Sequence, residues 1–589
     1  AEGAAAIEER FVENAEALRQ VQPEDLSATE VIPKLGAPWV EPDDIRDFIA
    51  HISDTSARSI EVRHDPKSAT WFVKPGFGAT RSVAATKEWG TSRMNAVSLI
   101  EQTLNQKVPT VFDVDSDGKR TVNPKETAAA RDKQQKIKDK FKEWLWQDDE
   151  RRVRLLRVYN DDYNNIRLPV FNGSHLTLPN SSASIKLDPH QKNAVWRIIR
   201  GGNTLLAHVV GAGKTFTMVS AGMEMKRLGT IKKPMYVVPN HMLEQFSSET
   251  LQMYPSANIL VASKENFTGD KRRLLMSKIA TGNWDGVIVT HSSFSKLPIS
   301  AAFETQFVQR QVDEYEALII EAKGERADTR FVKQLEKSKL RLQARLDELA
   351  DRSGKDVGVE FEEIGVDALF IDEAHLFKNL EIATKMNRVA GLSLSSSKRA
   401  FDMFMKTQYV SGLNGGTSGI VFATGTPISN TMAEMYTMSR YLQMSALEER
   451  GITHFDAWAS NFGETVTSLE LSPDGKGYRM NSRFSKFSNV PELMQVFRSV
   501  ADIQTQEMLK LPVPKIKGGK ATVVDAPGSL VLQEFVEGLV ARASRIKGGG
   551  VDPRDDNMLK VTTDGRKAAM DMRLVNPAAN DDPDSKVNR

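Results

Sequence analysis

Along the middle of the chain, apolar residues recur in short runs of strand length: Thr204–Val209, Met235–Val238, Ile259–Val261, Gly286–Val289, Ala368–Ile371 and Gly419–Ala423. Helical segments such as Lys214–Leu228 and His241–Met253 alternate with most of them. Short apolar strands alternating with helices predict an α/β domain whose parallel sheet is covered by helices on both faces. Ligands bind such sheets beyond the carboxyl ends of the strands, so the residues following each run are the candidates for chemistry. The alternation spans about 186–445 and is interrupted at about 301–360. There Phe303 to Ala350 is charged and helical, with Leu335, Leu340, Leu342, Leu346 and Leu349 at near-helical spacing. This predicts a helical hairpin inserted into the sheet domain.

The flanking regions read differently. Residues 1–185 predict a mixed, mostly helical N-terminal accessory region. A helix near Glu8–Leu18 precedes a turn-like break at Leu35-Gly36-Ala37-Pro38-Trp39. A hairpin spans Ile60 to Val73 and turns at Asp65-Pro66-Lys67-Ser68. One long helix is expected from Glu126 towards Arg157, carrying Phe141, Trp144 and Leu145, and a linker over Asn160–Asn180. Residues 446–510 read as helical, and 511–589 as a new segment after Pro512 and Pro514. No internal repeat at solenoid spacing is present.

Composition narrows the function classes. A chain of 589 residues is expected to hold roughly three to four domains. The formal net charge is only +2, so any nucleic-acid contact must come from local basic patches. The absence of cysteine excludes disulfides, thiolate zinc sites and a cysteine nucleophile. The nine histidines are scattered without metal-ligand spacing. No apolar run approaches the roughly 18 residues that span a bilayer, the stretch Ala1 to Phe11 is charged and helix-prone without the apolar core of a signal peptide, and a cytoplasmic setting is expected. The first residue is Ala1 and not methionine, so an excised piece of a longer protein is expected.

Three strand ends carry chemistry. Gly211-Ala212-Gly213-Lys214-Thr215 follows the first run and opens a helix. Glycines let backbone N–H groups approach a phosphate, and the positive helix end lies behind them. Lys214 would then reach the β- and γ-phosphates, and the Thr215 hydroxyl would hold Mg²⁺. The full pattern wants a small residue six positions before the lysine, where this chain has His208. Asp372-Glu373-Ala374-His375 ends the run Ala368–Ile371. Asp372 is the candidate Mg²⁺ carboxylate, and Glu373 the candidate base for an attacking water. The third signal, Thr424-Gly425-Thr426-Pro427-Ile428-Ser429-Asn430, is only a turn when taken alone. Its weight lies in the order of the three loops, each behind an apolar strand.

These motifs resemble those of superfamily-two helicases with a DEAH box, particularly the Swi/Snf-type DNA translocases. The resemblance covers about 186–445 and implies a RecA-like P-loop lobe using ATP and Mg²⁺. Leu187-Asp188-Pro189-His190-Gln191 is similar to the family's adenine-reading motif, which implies an adenine contact for Gln191. Val237-Val238-Pro239-Asn240 and Val289-Thr290-His291 resemble motifs that touch the nucleic-acid backbone. Pro239, Asn240, Thr290 and His291 are the implied contacts. Thr424-Gly425-Thr426 matches the loop that couples nucleotide state to DNA contact, and the family uses the position of His375 in the same linkage. The Leu35–Trp39 and Asp564–Leu574 segments look like pieces of the helicase part of phage and plasmid proteins that fuse an adenine methylase to such a helicase. No methylase signature occurs, so this chain would follow the methylase.

One family feature is missing. The second RecA-like lobe carries a Gln-x-x-Arg-x-Gly-Arg-like motif, and none follows residue 430. Residues 511–589 are accordingly expected to be the incomplete start of a second lobe, with the rest in a parent chain or a partner. An arginine finger is typically worth 10³–10⁵ in rate, so slow hydrolysis by this chain alone is expected. The leading expectation is the ATP-binding lobe of a translocase that holds duplex DNA by its backbone, independent of sequence. A strand-separating DNA or RNA helicase and a nucleotide-gated structural or packaging module remain alternatives. Elsewhere, Arg131, Lys133, Lys136, Lys138, Lys140 and Lys142 interleave with acids and read as a solvated helix face, and Trp144 and Trp146 as core. The 301–360 insertion reads equally as a plain hairpin or as a grip for DNA or a partner.

Overall fold

The computed structural model describes all residues except 1–10, 67, 77, 115, 117–119, 268, 325–328, 353–358, 387–388, 393–396, 430, 472–477, 511–515, 517, 549–550 and 553. Asn430, Lys67, Pro512 and Pro514, named above, lie outside the described residues. The chain forms two compact units, Ala1–Val466 with Arg483–Leu511, and Thr467–Ser482 with Pro512–Arg589.

The N-terminal region begins with α1 (Val12–Val21) and α2 (Pro42–Ser53), followed by β1 (Glu61–Asp65) and β2 (Thr70–Lys74), which pair antiparallel as the alternation predicts. After α3 (Ala96–Leu104), the strands β3 (Phe112–Val114) and β4 (Arg120–Val122) form a second small hairpin. The single long helix expected from Glu126 is in fact two: α4 (Pro124–Leu145) and α5 (Asp149–Tyr163). The Asp148 carboxylate accepts from Arg151 N at 2.8 Å and starts a new helix, an N-cap that interrupts an otherwise continuous periodicity. The expected linker also shortens. Asn160 is buried inside α5, bonded both ways to the Leu26 backbone at 2.7 and 3.1 Å. Trp144 is buried beneath Arg151, and Trp146 stacks on Trp39, so both tryptophans serve the core. Four of the α4 cations have partners within the protein: Arg131 bonds Pro109 O, Lys133 bonds Lys87 O and Glu88 O, Lys136 pairs with Asp132 and Lys142 with Asp139.

The sheet domain runs α6 (Pro189–Gly201), β5 (Thr204–His208), α7 (Lys214–Arg227), β6 (Pro234–Val238), α8 (Leu243–Met253), β7 (Ile259–Ala262), α9 (Gly269–Thr281) and β8 (Gly286–Thr290). A single-turn α10 (His291–Phe294) leads to α11 (Ala301–Gly324) and α12 (Thr329–Arg352), the inserted pair, which meet through Ile319, Val332 and Leu335. Then come β9 (Ala368–Asp372), β10 (Val389–Ala390), α13 (Lys398–Leu413), β11 (Ile420–Ala423) and α14 (Ala433–Leu442).

Residues 446–510, read as helical, are mixed. They contain α15 (Met444–Glu449), α16 (Phe455–Phe462), β12 (Gly463–Leu471), β13 (Tyr478–Phe487), α17 (Val490–Arg498), β14 (Ala501–Gln504) and the one-turn α18 (Gln506–Leu509). The main sheet has seven strands in the order β14-β5-β11-β9-β6-β8-β7, and each neighbouring pair in it is parallel. β5, β6, β8, β9 and β11 are buried along their whole length, and two apolar clusters cover the sheet faces. This is a RecA-like α/β fold. Its sheet reaches past residue 445, because β14 adds an edge strand beside β5.

In the second unit, α19 (Leu530–Lys547) and α20 (Met558–Met570) pack through Leu539, Ala543 and Val561. Arg542 forks to Asp556 at 2.8 Å and reaches Asp564 at 2.9 Å. Among the described residues of 512–589 there is no strand. Among the described residues no helix is long and apolar enough to cross a membrane.

Candidate nucleotide site

The site lies where β5, β11 and β9 end. β11 is central: Ala423 pairs with Leu206 on one side and Asp372 on the other. The first two candidate loops thus leave the same sheet edge two strand spacings apart, roughly 10 Å, with the third loop between them.

After β5 the backbone turns through Gly211 (φ 88°) and Gly213 (φ 72°), both in the left-handed region where a side chain is strained. Gly213 has a second constraint, since a Cβ there would meet Gln191 Nε2 at 2.0 Å. Lys214 opens α7 and folds back across the loop, donating to His208 O at 3.2 Å and Val209 O at 3.4 Å. Thr215 follows in the first helical turn, half-buried, and Ala212 is buried. The loop is braced from α6. The His190 ring lies 3.0 Å from Ala212 O, and Gln191 Nε2 donates to Gly213 O at 3.2 Å. Gln191 Oε1 accepts from Asp188 N at 2.7 Å in a capping box, so the structure places this side chain between helix start and loop.

At the end of β9, Asp372 is buried, and its Oδ1 has no hydrogen-bond partner. Burial first, and then the adjacent Glu373 charge, push its carboxyl up to about 6, while the Lys214 charge acts against them. A buried carboxylate oxygen lacking a partner needs a cation or a donor. Together with the Thr215 hydroxyl it is the all-oxygen chemistry that Mg²⁺ takes, so the residues fit that ion. Glu373 adopts φ 50°, an uncommon conformation for a non-glycine residue, which turns the chain sharply out of the strand.

The acidic turn is tied to the third loop. His375 Nδ1 stands 2.9 Å from Glu373 Oε2 and 3.1 Å from Thr424 Oγ1. Thr424 is buried, receives a bond from Thr426 N at 3.1 Å, and donates its own N–H to Leu206 O at 3.0 Å. A Cβ on Gly425 would come within 3.3 Å of Val210. Lys378, which the sequence did not single out, adds another link. It donates to Ser429 Oγ at 2.6 Å and Glu434 Oε2 at 2.9 Å, and Ser429 N donates to the same carboxylate oxygen at 2.6 Å.

The residues expected at nucleic acid separate by burial. Pro239, Thr290 and His291 are buried, and only Asn240 is exposed. The Asn240 side-chain Oδ1 accepts from Ser292 Oγ at 3.0 Å, joining the ends of β6 and β8. The Thr290 hydroxyl caps α10 by accepting from Ser293 N at 3.2 Å. His291 faces inward: Nε2 donates to Asp372 O at 2.9 Å, and Nδ1 accepts from Arg399 Nη2 at 3.2 Å. Burial, then the Arg399 charge, hold its imidazole down at about 4. The side chain thus props the acidic strand end.

A family model described as a probable helicase domain matches residues 196–505, more than half of the 589-residue chain. The chain belongs to this helicase family. A second model, a domain of unknown function (DUF8437), matches residues 34–165 of the accessory region. A curated relative, "Defense against restriction protein B" of Escherichia phage P1, is 23% identical over 440 residues. That match takes in 66% of this chain but only 19% of the relative, so the chain spans about a fifth of the relative's length. The solved "Sulfolobus solfataricus SWI2/SNF2 ATPase core in complex with dsDNA" aligns over 70% of this chain and 64% of that one. The two share 13% identity, with a TM-score of 0.31.

Proposed function

We propose that the sheet domain is the ATP-binding lobe of a motor that moves along duplex DNA. One observation carries the reading: a buried Asp372 carboxylate whose Oδ1 has no partner lies within the electrostatic reach of Lys214, on the sheet edge that also bears the glycine loop. In this reading Gly211, Ala212, Gly213 and Lys214 hold the triphosphate, and Gln191 lies at the adenine edge. Thr215 and Asp372 would hold Mg²⁺, which would supply positive charge to offset that of the triphosphate. Glu373 orients and deprotonates the attacking water. The His375–Thr424 contact, continued through Gly425 and Thr426, relates nucleotide state to the DNA side. Exposed Asn240, with its partner Ser292, forms the backbone contact, while Pro239, Thr290 and His291 shape it from beneath.

The second-lobe arginine motif is absent from residues 431–589. Hydrolysis by this chain alone is therefore slow until another segment or subunit completes the site. The test is nucleotide binding and turnover with duplex DNA at several salt concentrations. Lys214→Ala abolishes ATP binding, whereas Glu373→Gln keeps binding and loses residual turnover. DNA affinity falls steeply as salt rises. Unchanged ATP affinity in Lys214→Ala would remove the site. Tight ATP binding without DNA affinity would favour a nucleotide-gated structural module.

A further inference from the structure

We infer that His208 and Asp502 are a positioning pair for the phosphate loop, which makes the short edge strand β14 a working part of the nucleotide site. The inference rests on the nucleotide reading above and concerns how the loop is held. The Lys214 ammonium rests against the carbonyls of His208 and Val209, so the placement of these two residues sets the placement of the ammonium. Both are bonded to β14. His208 Nε2 donates to Asp502 Oδ2 at 2.7 Å, and Val209 N donates to Gln504 O at 3.0 Å. In the parallel register His208 lies opposite Gln504, which puts Asp502 on the same sheet face as the imidazole.

The imidazole is fully buried, and its Nδ1 has no hydrogen-bond partner. A polar ring with one unsatisfied nitrogen is a costly way to fill the space, since an apolar side chain would pack there without that penalty. What His208 provides instead is a short bond to a carboxylate. Burial is the largest influence on Asp502 and opposes its ionisation, but the hydrogen bond and charge of His208, the Arg197 charge and a bond from Gln504 together overcome it and hold the carboxyl below its ordinary range. The frame closes through α6. Arg197 Nη2 donates to Arg498 O at 2.6 Å and Ser499 O at 2.8 Å, immediately before β14. The same helix carries His190 and Gln191, which brace the far end of the loop. The loop is thus gripped at its entry by β14 and at its exit by α6, and α6 grips the segment leading into β14.

The experiment measures Mg·ATP affinity, melting temperature and hydrogen exchange at the Val209 amide in His208→Ala, His208→Gln, Asp502→Ala and Asp502→Asn, with Lys214→Ala alongside. Gln places a donor nitrogen near the position of the imidazole Nε2. Removing a charge-assisted bond that fixes the loop should weaken ATP by about tenfold in His208→Ala and Asp502→Ala. His208→Gln should stay near wild type, and Val209 exchange should accelerate only in the weakened variants. A generally structural role would instead lower melting temperature in all variants without separating Gln from Ala. Should the alanine variants not fold, Asp502→Asn decides: weaker ATP binding supports the pair, and wild-type affinity overturns it. Wild-type affinity in His208→Ala, or equal loss in His208→Gln, also overturns it. If Lys214→Ala binds ATP normally, the nucleotide site itself is misplaced, a separate failure.

Discussion

Replacing His291 by alanine separates a nucleic-acid contact from an interior prop. The side chain is 4% exposed, bonds the Asp372 carbonyl at 2.9 Å and Arg399 at 3.2 Å, and meets Phe377 edge-on at 5.1 Å. Truncation leaves the carbonyl without this donor and removes a partner from Arg399, whose Nε already has none. A buried polar group deprived of its partner costs about 1–3 kcal/mol. Two such losses, partly relieved by water entering the vacated space, give about 3 kcal/mol of destabilisation. Urea unfolding at unchanged slope reads this as a shift in midpoint. Fluorescence anisotropy on a labelled duplex, at fixed salt and under native conditions, should show little change in affinity. The exposed Asn240→Ala should do the reverse, moving stability by less than about 0.5 kcal/mol while weakening DNA binding. If His291→Ala keeps its unfolding midpoint and loses DNA affinity, the interior assignment is wrong.

Three further perturbations test other parts of the structure. Gly213→Ala puts a β-carbon at φ 72° and 2.0 Å from Gln191 Nε2. Backbone strain alone costs about 1–2 kcal/mol, so both melting temperature and ATP affinity should fall, and a variant as stable as wild type would contradict the geometry. Lys406 is fully buried and donates to Asp402 at 2.8 Å and Phe294 O at 2.9 Å. Lys406→Met should cost about 3–5 kcal/mol by stranding its partner, and adding Asp402→Asn should recover part of it; equal stability of single and double variants would argue against a coupled pair. Burial, only partly offset by the Asp456 charge, pulls His454 from its ordinary 6.5 to about 4. The unfolded chain therefore binds this proton first, so the stability held by the neutral imidazole is complete above pH 6.5. It is lost as pH falls towards 4, by about 3 kcal/mol at most. His454→Asn keeps a cap acceptor for Asp456 N and should flatten the acid limb of the stability profile, which urea titrations from pH 4 to 7 would measure.

Six apolar runs in the sequence correspond to β5, β6, β7, β8, β9 and β11; all but the edge strand β7 are buried along their whole length, and strands buried on both faces must be apolar throughout. The hairpin at β1 and β2 and the helical pair α11 and α12 were legible for the same local reason: period and turn residues act over a few positions. β14 was not. Ala-Asp-Ile-Gln is four residues of mixed polarity at a sheet edge, and such a strand has no signature of its own until β5 pairs with it. Nor was the break at Asp148, where one capping carboxylate ends a periodicity that otherwise runs on.

The linear order of residues determined the α/β class, the positions of the glycine loop, the acidic strand end and the Gly-Thr-Pro loop, and so the kind of chemistry to look for. Those features depend on residue type and on spacing within one strand–loop–helix unit. The tertiary structure alone decided that β11 lies between β5 and β9, that His291 faces Asp372 and not solvent, and that His208 meets Asp502 across 294 positions of chain. Strand order, burial and long-range hydrogen bonds arise from pairings between distant segments, and no local pattern encodes which distant segment a residue will meet.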